Sequence, residues 1–214
     1  EVSRVLFVQH SANHGGSTIS AELTVNGMRQ AGWTTDVAFG FDGPYRQRFE
    51  QFGSSTFVVP HANWLRARRW DRSLRCIAAE WRRVRVFERL IRQVGPDVVY
   101  VNSIVSLAAA IAAKRVGVPC VWHIRELFDD VGGEMRIPAV GGKSLVRQFL
   151  RRYSGMRVAI SRAVVENVIG DDRHVRIIRN AVADDFFKFD RSRAAARSEL
   201  GLQSDAPIIG VPGT

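Results

Sequence analysis

Apolar positions recur in two ways along the 214 residues. Short, continuous apolar runs occupy Val5–Val8, Thr34–Phe39, Val98–Val101, Pro119–Ile124, Arg157–Ile160, Val175–Ile178 and Pro207–Val211. Each reads as a strand buried on both faces. Ser55–Val59 is a further short strand closed by Pro60. Between the runs, apolar residues fall at threes and fours. Ile19, Leu23 and Met28 predict a helix stopped by Gly32, with Gly27 an interruption unless it lets the helix pack closely on the sheet. Leu74, Ile77, Ala78, Trp81, Val84, Phe87, Leu90 and Ile91 predict a long amphipathic helix over about 72–94. Shorter helices are predicted over 106–116, 144–153, 161–169 and 193–200, the third of these capped by Ser161. Alternation of apolar strands with helices predicts an α/β fold: a Rossmann-like parallel sheet with helices on both faces.

Charge adds little to that picture until its placement is considered. The net charge is +10, carried almost wholly by arginine, since Lys114, Lys143 and Lys188 are the only lysines. Such a balance suits anionic partners: nucleic acid, anionic lipid or phosphorylated substrates. The outer face of the 72–94 helix carries Arg82, Arg83, Arg85, Arg89 and Arg92. The preferred reading of this helix packs its apolar stripe on the sheet and leaves the arginines in water. Trp64 and Trp70, flanked by Arg66, Arg68 and Arg69, are the better candidates for contact with an anionic membrane surface. Cys76 and Cys120 make neither a disulfide framework nor a metal-ligand spacing. No run reaches transmembrane length and no secretory signal is present, so a cytoplasmic location is expected.

In parallel sheets of this kind, ligands sit outside the C-terminal ends of the strands. Those ends carry His10, Ser11, Asn13, His14, Gly15, Gly16 and Ser17; then Asn102 and Ser103; then His123, Arg125 and Glu126; then Ser161 with Arg162, and Asn180. Gly15-Gly16-Ser17 follows a buried strand and opens a helix, where backbone N–H groups can approach negative charge. It is not the dinucleotide fingerprint, which needs Gly-x-Gly-x-x-Gly. Gly142-Lys143-Ser144 matches the tail of a P-loop, but Ile137 stands where the first glycine belongs. His123 is either a satisfied core histidine or, with Arg125 and Glu126, part of a donor, cation and acceptor cluster. Ser161 reads equally as a plain cap, and Asn180 as a turn residue.

Taken in order, these motifs resemble the N-terminal half of a family-4 glycosyltransferase of the two-domain GT-B fold. The likeness rests on the first strand with Gly15-Gly16, Gly32 with the strand through Val37, Pro96-Asp97-Val98-Val99, the strand Val118–His123, Val158–Ser161, and Val175–Val182. Two positions depart from the family pattern: Ala181 stands where glycine is usual, and His123 is followed by Ile124-Arg125-Glu126 instead of aspartate. The resemblance implies a sugar transferred from a nucleotide-sugar donor to a glycan or lipid-linked acceptor, with retention. It implies polysaccharide or cell-envelope synthesis at the inner face of the membrane. It implies that Gly15, Gly16, Ser17, Asn102, Ser103, Arg125, Glu126, Ser161 and Asn180 bind donor diphosphate or acceptor, and that His123 is catalytic through a hydrogen bond to the transferred sugar. The nucleotide sugar is then a substrate, and neither a cofactor nor a metal is expected.

On this reading residues 1–190 form the N-terminal acceptor-binding domain, and 191–214 the hinge and first strand of a truncated donor-binding domain. The fragment alone is then expected to be inactive. The rivals are a non-transferase GT-B enzyme such as a sugar-nucleotide epimerase, a Rossmann-type oxidoreductase, and a basic nucleic-acid-binding α/β domain. The oxidoreductase lacks its fingerprint. The nucleic-acid binder lacks a recognition motif, so no nucleic-acid partner is expected.

Overall fold

Why the apolar runs must be buried becomes plain once they are paired. The computed structural model describes residues 3–61, 63–65, 70–128, 135–138, 141–183, 187–188, 191–202 and 206–209, with the backbone alone over 70–73. Its strands are β1 (Arg4–Gln9), β2 (Thr34–Phe39), β3 (Ser55–Val58), β4 (Val98–Asn102), β5 (Cys120–Ile124), β6 (Met156–Ala159) and β7 (Val175–Ile177). All seven join one parallel sheet in the order β3-β2-β1-β4-β5-β6-β7. Central β1 pairs with β2 on one side and β4 on the other, so residues Val5 to Val8 are shielded on both faces and along both edges. The chain reverses its direction of growth between β1 and β4, which opens a crevice at their C-terminal ends.

Helices cover both faces, as the alternation predicts. On one face, α1 (Gly16–Gln30) and α2 (Arg46–Gln51) enclose Phe7, Ala12, Ala21, Val25, Val37, Phe39 and Phe49. Gly27 lies within α1, and a Cβ there would meet nothing within 4 Å, so close packing is not its purpose. Helix α2 had no counterpart in the sequence reading. Its single buried residue, Phe49, is too little periodicity to announce a helix. On the other face, α3 (Trp70–Val94), α4 (Leu107–Val116) and α5 (Gly142–Tyr153) share a core with Leu6, Val8, Val101, Trp122 and Ile124. After β6 a short helix, α6 (Arg162–Val164), passes into a π-helical stretch over Val165–Ile169. Ser161 caps it as expected, its hydroxyl accepting from the Val164 N–H at 3.3 Å.

The long basic helix packs through its C-terminal half. Val84, Phe87, Leu90, Ile91 and Val94 are buried, whereas Leu74, Ala78 and Trp81 are exposed. The arginine face is largely solvated, and Arg115 stacks its guanidinium over the Trp81 ring at 5.6 Å. Trp64 is corrected from a membrane-surface residue to a core residue. It is 2% exposed, its indole N–H donates to the Ile104 carbonyl at 2.9 Å, and its ring packs against Phe149. A bulky aromatic with a satisfied N–H is worth more inside than at a surface. Arg66, Arg68 and Arg69 lie outside the described residues, as does the Trp70 side chain. Among the described residues no helix is long and apolar enough to cross a membrane.

Two compact units divide the chain, Glu1–Ala181 and Val182–Thr214. The first holds the whole sheet. The second holds α7 (Arg193–Glu199), capped by the Ser192 hydroxyl and clipped by an Arg191–Glu199 ion pair. The strand expected over 207–211 falls partly outside the described residues, and residues 206–209 are not in a strand.

Candidate functional site

The loop from β1 to α1 is held from below and from the side. The Ala12 N–H donates to the Phe41 carbonyl, and the Tyr45 N–H to the Ala12 carbonyl, both at 3.0 Å. Gly40 makes this contact feasible: a Cβ there would lie 2.5 Å from the His10 carbonyl oxygen and 2.8 Å from the His61 ring. Beneath the loop, Asn102 Nδ2 donates to Gln9 Oε1 at 2.7 Å, tying the ends of β1 and β4 together. Helix α1 then begins at Gly16 with no side-chain cap and no acidic residue in its first turn. Its free N–H groups and the positive end of its dipole are therefore left for something else.

Glu126 organises the next strand end. Its Oε2 accepts from the backbone N–H groups of Ile104 (3.1 Å) and Arg125 (3.0 Å), and its Oε1 from the Ser103 hydroxyl. Ser103 carries φ +116°, the single positive φ of a non-glycine residue among those described. The Trp122 indole holds its carbonyl at 2.9 Å, and its N–H reaches the His123 carbonyl at 2.9 Å. Glu126 thus clamps a strained β4–α4 turn through both of its oxygens.

These ends surround one cleft of about 620 Å³, lined by Gly16 and Ser17 at the start of α1, Phe41, His61, Val105, Met135 and Ile160, and the cluster Ser103, Arg125, Glu126 and Asn180, with His10 and Asn63. Six of the ten binding or catalytic positions anticipated from sequence therefore face it: Gly16, Ser17, Ser103, Arg125, Glu126 and Asn180. Gly15 precedes the lining as the residue before α1. Asn102 is buried beneath in its bond to Gln9. Ser161 acts as a cap beside it. His123 is also beneath, 4% exposed, with Nδ1 2.8 Å from the Tyr100 hydroxyl and Nε2 buried without a protein partner. The Arg125 guanidinium donates to Asn180 Oδ1 at 2.9 Å. Phe41, His61, Asn63, Val105, Met135 and Ile160 were missed. His61, directly past Val59-Pro60, was open to the strand-end rule that found the others.

Both buried histidines are neutral at physiological pH. Burial pushes His61 down to about 4, and burial with the nearby Arg125 charge does the same to His123. His61 Nδ1 lies 2.9 Å from the Val59 carbonyl and Nε2 2.7 Å from the Ser106 hydroxyl, so neither nitrogen is open to the cleft. Burial also raises Tyr100 to about 12, keeping its phenol protonated beside His123. In the unfolded chain both imidazoles protonate near 6.5, so acid favours unfolding. Stability should be full above pH 6.5 and fall towards pH 4, by up to about 1.4 kcal/mol per pH unit for each histidine. Urea midpoints measured across that range should fall, and His61→Gln should flatten the profile. Among the described residues no group of three or more His, Cys, Asp or Glu is placed to hold a metal ion.

Comparison with known proteins agrees with this fold. No curated protein matches the chain in sequence. Several solved structures match in fold. HepE from Anabaena, solved in complex with UDP and glucose, superposes with a TM-score of 0.63 at 19% identity, covering 92% of this chain and 50% of that one. A glycosyltransferase from Rickettsia africae ESF-5 gives a TM-score of 0.66 at 14% identity, covering 97% and 52%. A UDP-N-acetylglucosamine 2-epimerase gives 0.52 at 14% identity, covering 83% and 48%. The chain thus spans about half the length of these proteins, and its Rossmann-like sheet is the N-terminal half of a GT-B fold. The sequence pattern described as a glycosyl transferase 4-like domain matches residues 15–181, from the glycine pair to the residue after Asn180. The chain belongs to the glycosyl transferase 4-like domain family.

Proposed function

We propose that the parent protein transfers a sugar from a nucleotide-sugar donor to a glycan or lipid-linked acceptor, and that the cleft of this chain is the acceptor side of its active site. The observation that carries this reading is the uncapped start of α1 at Gly15-Gly16. Cβ atoms at either position would meet nothing within 4 Å, so the chain's own packing does not require glycine there. Uncapped backbone N–H groups at a helix start suit the leaving diphosphate, whose negative charge grows in the transition state.

His123 fits a hydrogen-bonding role better than an acid–base one. An imidazole held near pKa 4 is uncharged at pH 7 and a weak base. With Nδ1 engaged by the Tyr100 hydroxyl, Nε2 is left as a buried, unmatched ring nitrogen. A sugar hydroxyl, able to donate or to accept, would satisfy it. Retention and the absence of a metal requirement belong to this proposal as inheritances from the family.

The test is full-length protein incubated with a panel of UDP-, GDP- and TDP-sugars and membrane-lipid or glycan extracts. Transfer of labelled sugar from one donor is the expected result. An epimerised sugar nucleotide, formed without any acceptor, would instead favour the epimerase reading that the 2-epimerase-like fold keeps alive. Sugar transfer by the 214-residue chain alone would contradict the division of labour.

A further inference from the structure

Gln9, Asn102 and His123 stand in one row across the strand ends of β1, β4 and β5, each the register partner of the next. All three are buried. Gln9 Nε2 donates to the Ser17 hydroxyl at 3.5 Å, and Asn102 Nδ2 to Gln9 Oε1 at 2.7 Å. With its nitrogen engaged on β1, Asn102 keeps Oδ1 as a buried acceptor without a partner. His123 Nε2, on the next strand, is also buried without a partner. A proton on Nε2 makes these two groups complementary, whereas a proton on Nδ1 leaves two acceptors on neighbouring strands.

Which nitrogen carries the proton is decided at the other side of the ring. Nδ1 lies 2.8 Å from the Tyr100 hydroxyl, which has no other hydrogen-bond partner among the described residues. Neither group is charged at pH 7, since burial raises the phenol to about 12, and burial with the Arg125 charge lowers the imidazole to about 4. Two neutral arrangements are open: the phenol donates to Nδ1, or Nδ1–H donates to the phenol oxygen. A phenol, which ordinarily ionises at about 10, is a good donor, and an imidazole nitrogen, which ordinarily takes a proton at about 6.5, is the stronger acceptor of the two. The second arrangement also strands the phenol proton without an acceptor. Tyr100 is itself held in place. Its ring stacks on buried Phe7 at 5.1 Å and 11°, and meets the imidazole edge-on at 5.9 Å and 87°.

We infer that Tyr100 is a positioning residue: it donates to His123 Nδ1, holds the imidazole in one orientation and fixes the ring proton on Nε2, so that His123 offers its ligand a hydrogen-bond donor and not an acceptor. The partner of one imidazole nitrogen decides what the other can do. The inference rests on the proposed transferase reading for the identity of the ligand, the transferred sugar, whose hydroxyl oxygen then accepts from Nε2. Without the tyrosine hydroxyl, the neutral ring is free to carry its proton on either nitrogen, and only one of the two forms serves.

The test is nitrogen NMR of full-length protein carrying isotopically labelled histidine, with the His123 signals assigned by their loss in His123→Gln. The parent should show one neutral tautomer at His123, protonated on Nε2, and Tyr100→Phe should show a mixture of the two, with circular dichroism confirming that the fold is kept. Sugar transfer is measured on the same full-length proteins. Tyr100→Phe should lower kcat/KM about tenfold, and should cause no further loss in a His123→Gln background, because it acts through that ring. A purely structural tyrosine would lower both backgrounds equally and leave the tautomer as it was. A proton found on Nδ1 in the parent, a tautomer unchanged by Tyr100→Phe, or equal losses in the two backgrounds overturns the inference. So does unaltered kcat/KM in Tyr100→Phe where His123→Gln is impaired. Absence of transfer from every donor tried, or full activity in His123→Gln, would instead count against the transferase reading beneath it, and the NMR result would still decide what Tyr100 does to the ring.

Discussion

Gly16→Val is expected to lower kcat/KM of the full-length enzyme at least about a hundredfold, a loss of about 2.7 kcal/mol in transition-state stabilisation, with no fall in melting temperature. The two halves of that expectation come from one fact. Gly15 has φ 168° and ψ 162°, extended backbone that any residue adopts, and no protein atom lies within 4 Å of a Cβ built at Gly15 or Gly16. A side chain at Gly16 therefore disturbs nothing in the fold and is tolerated in the first turn of a helix. It does occupy the space beside the free N–H groups of α1, where the proposed function puts the diphosphate. Gly40 is the contrasting case. Its missing Cβ is demanded by the His10 carbonyl and the His61 ring, so substitution there should damage the fold itself. Paired measurement of kcat/KM and thermal stability for Gly16→Val checks the argument. Retained activity would remove α1 from the reaction.

Glu126→Ala should act in the opposite way, through stability. It takes away one carboxylate that serves the Ile104 and Arg125 N–H groups and the Ser103 hydroxyl. Those donors are left beneath a turn whose Ser103 sits at φ +116°. Charged hydrogen bonds and the penalty of unmatched partly buried donors together make a loss of about 3–4 kcal/mol. Backbone strain at Ser103 then loses its counterweight. Chemical denaturation of the variant measures this. Glu126→Gln, which keeps one acceptor oxygen, should recover about half of the loss. A variant as stable as the parent would mean that the carboxylate faces a ligand after all.

The sheet was legible because fully buried parallel strands leave continuous apolar runs, and β1, β4 and β5 are such runs. Strand order was not written in any one segment. It follows from β1 pairing with β4 across the whole of α1, β2, α2, β3 and α3, contacts that no local pattern encodes. The site was partly legible for the same reason. Polar residues past an apolar strand are conspicuous, so Ser103, Arg125, Glu126 and Asn180 stood out. Their roles did not. Glu126 looked like a free acceptor because two of its three partners, Ser103 and Ile104, lie in the β4–α4 turn, more than twenty residues away in sequence. His123 looked like a cleft residue, yet pleat and register turn it beneath, onto Tyr100. Tyr100 itself was hidden in VVYV, where an aromatic in a buried strand gives no hint that its hydroxyl serves a histidine. Trp64 misled because neighbouring arginines suggest a surface, whereas its partners Ile104 and Phe149 are far along the chain.

On the proposed function, the α1 start receives the leaving diphosphate and neutral His123 supplies a hydrogen bond. Neutral His123 also means that rate should not track an imidazole pKa near 6.5. What acid removes first is the fold, through the same buried histidines.

The most direct measurement is a titration of isotopically labelled full-length protein with UDP, following backbone amide shifts. The account predicts that Gly16 and Ser17 move most among the residues of this domain, and that Gly16→Val abolishes the response. Shifts confined to residues away from the cleft, such as the arginine-rich α5, with Gly16 and Ser17 unmoved, would contradict it.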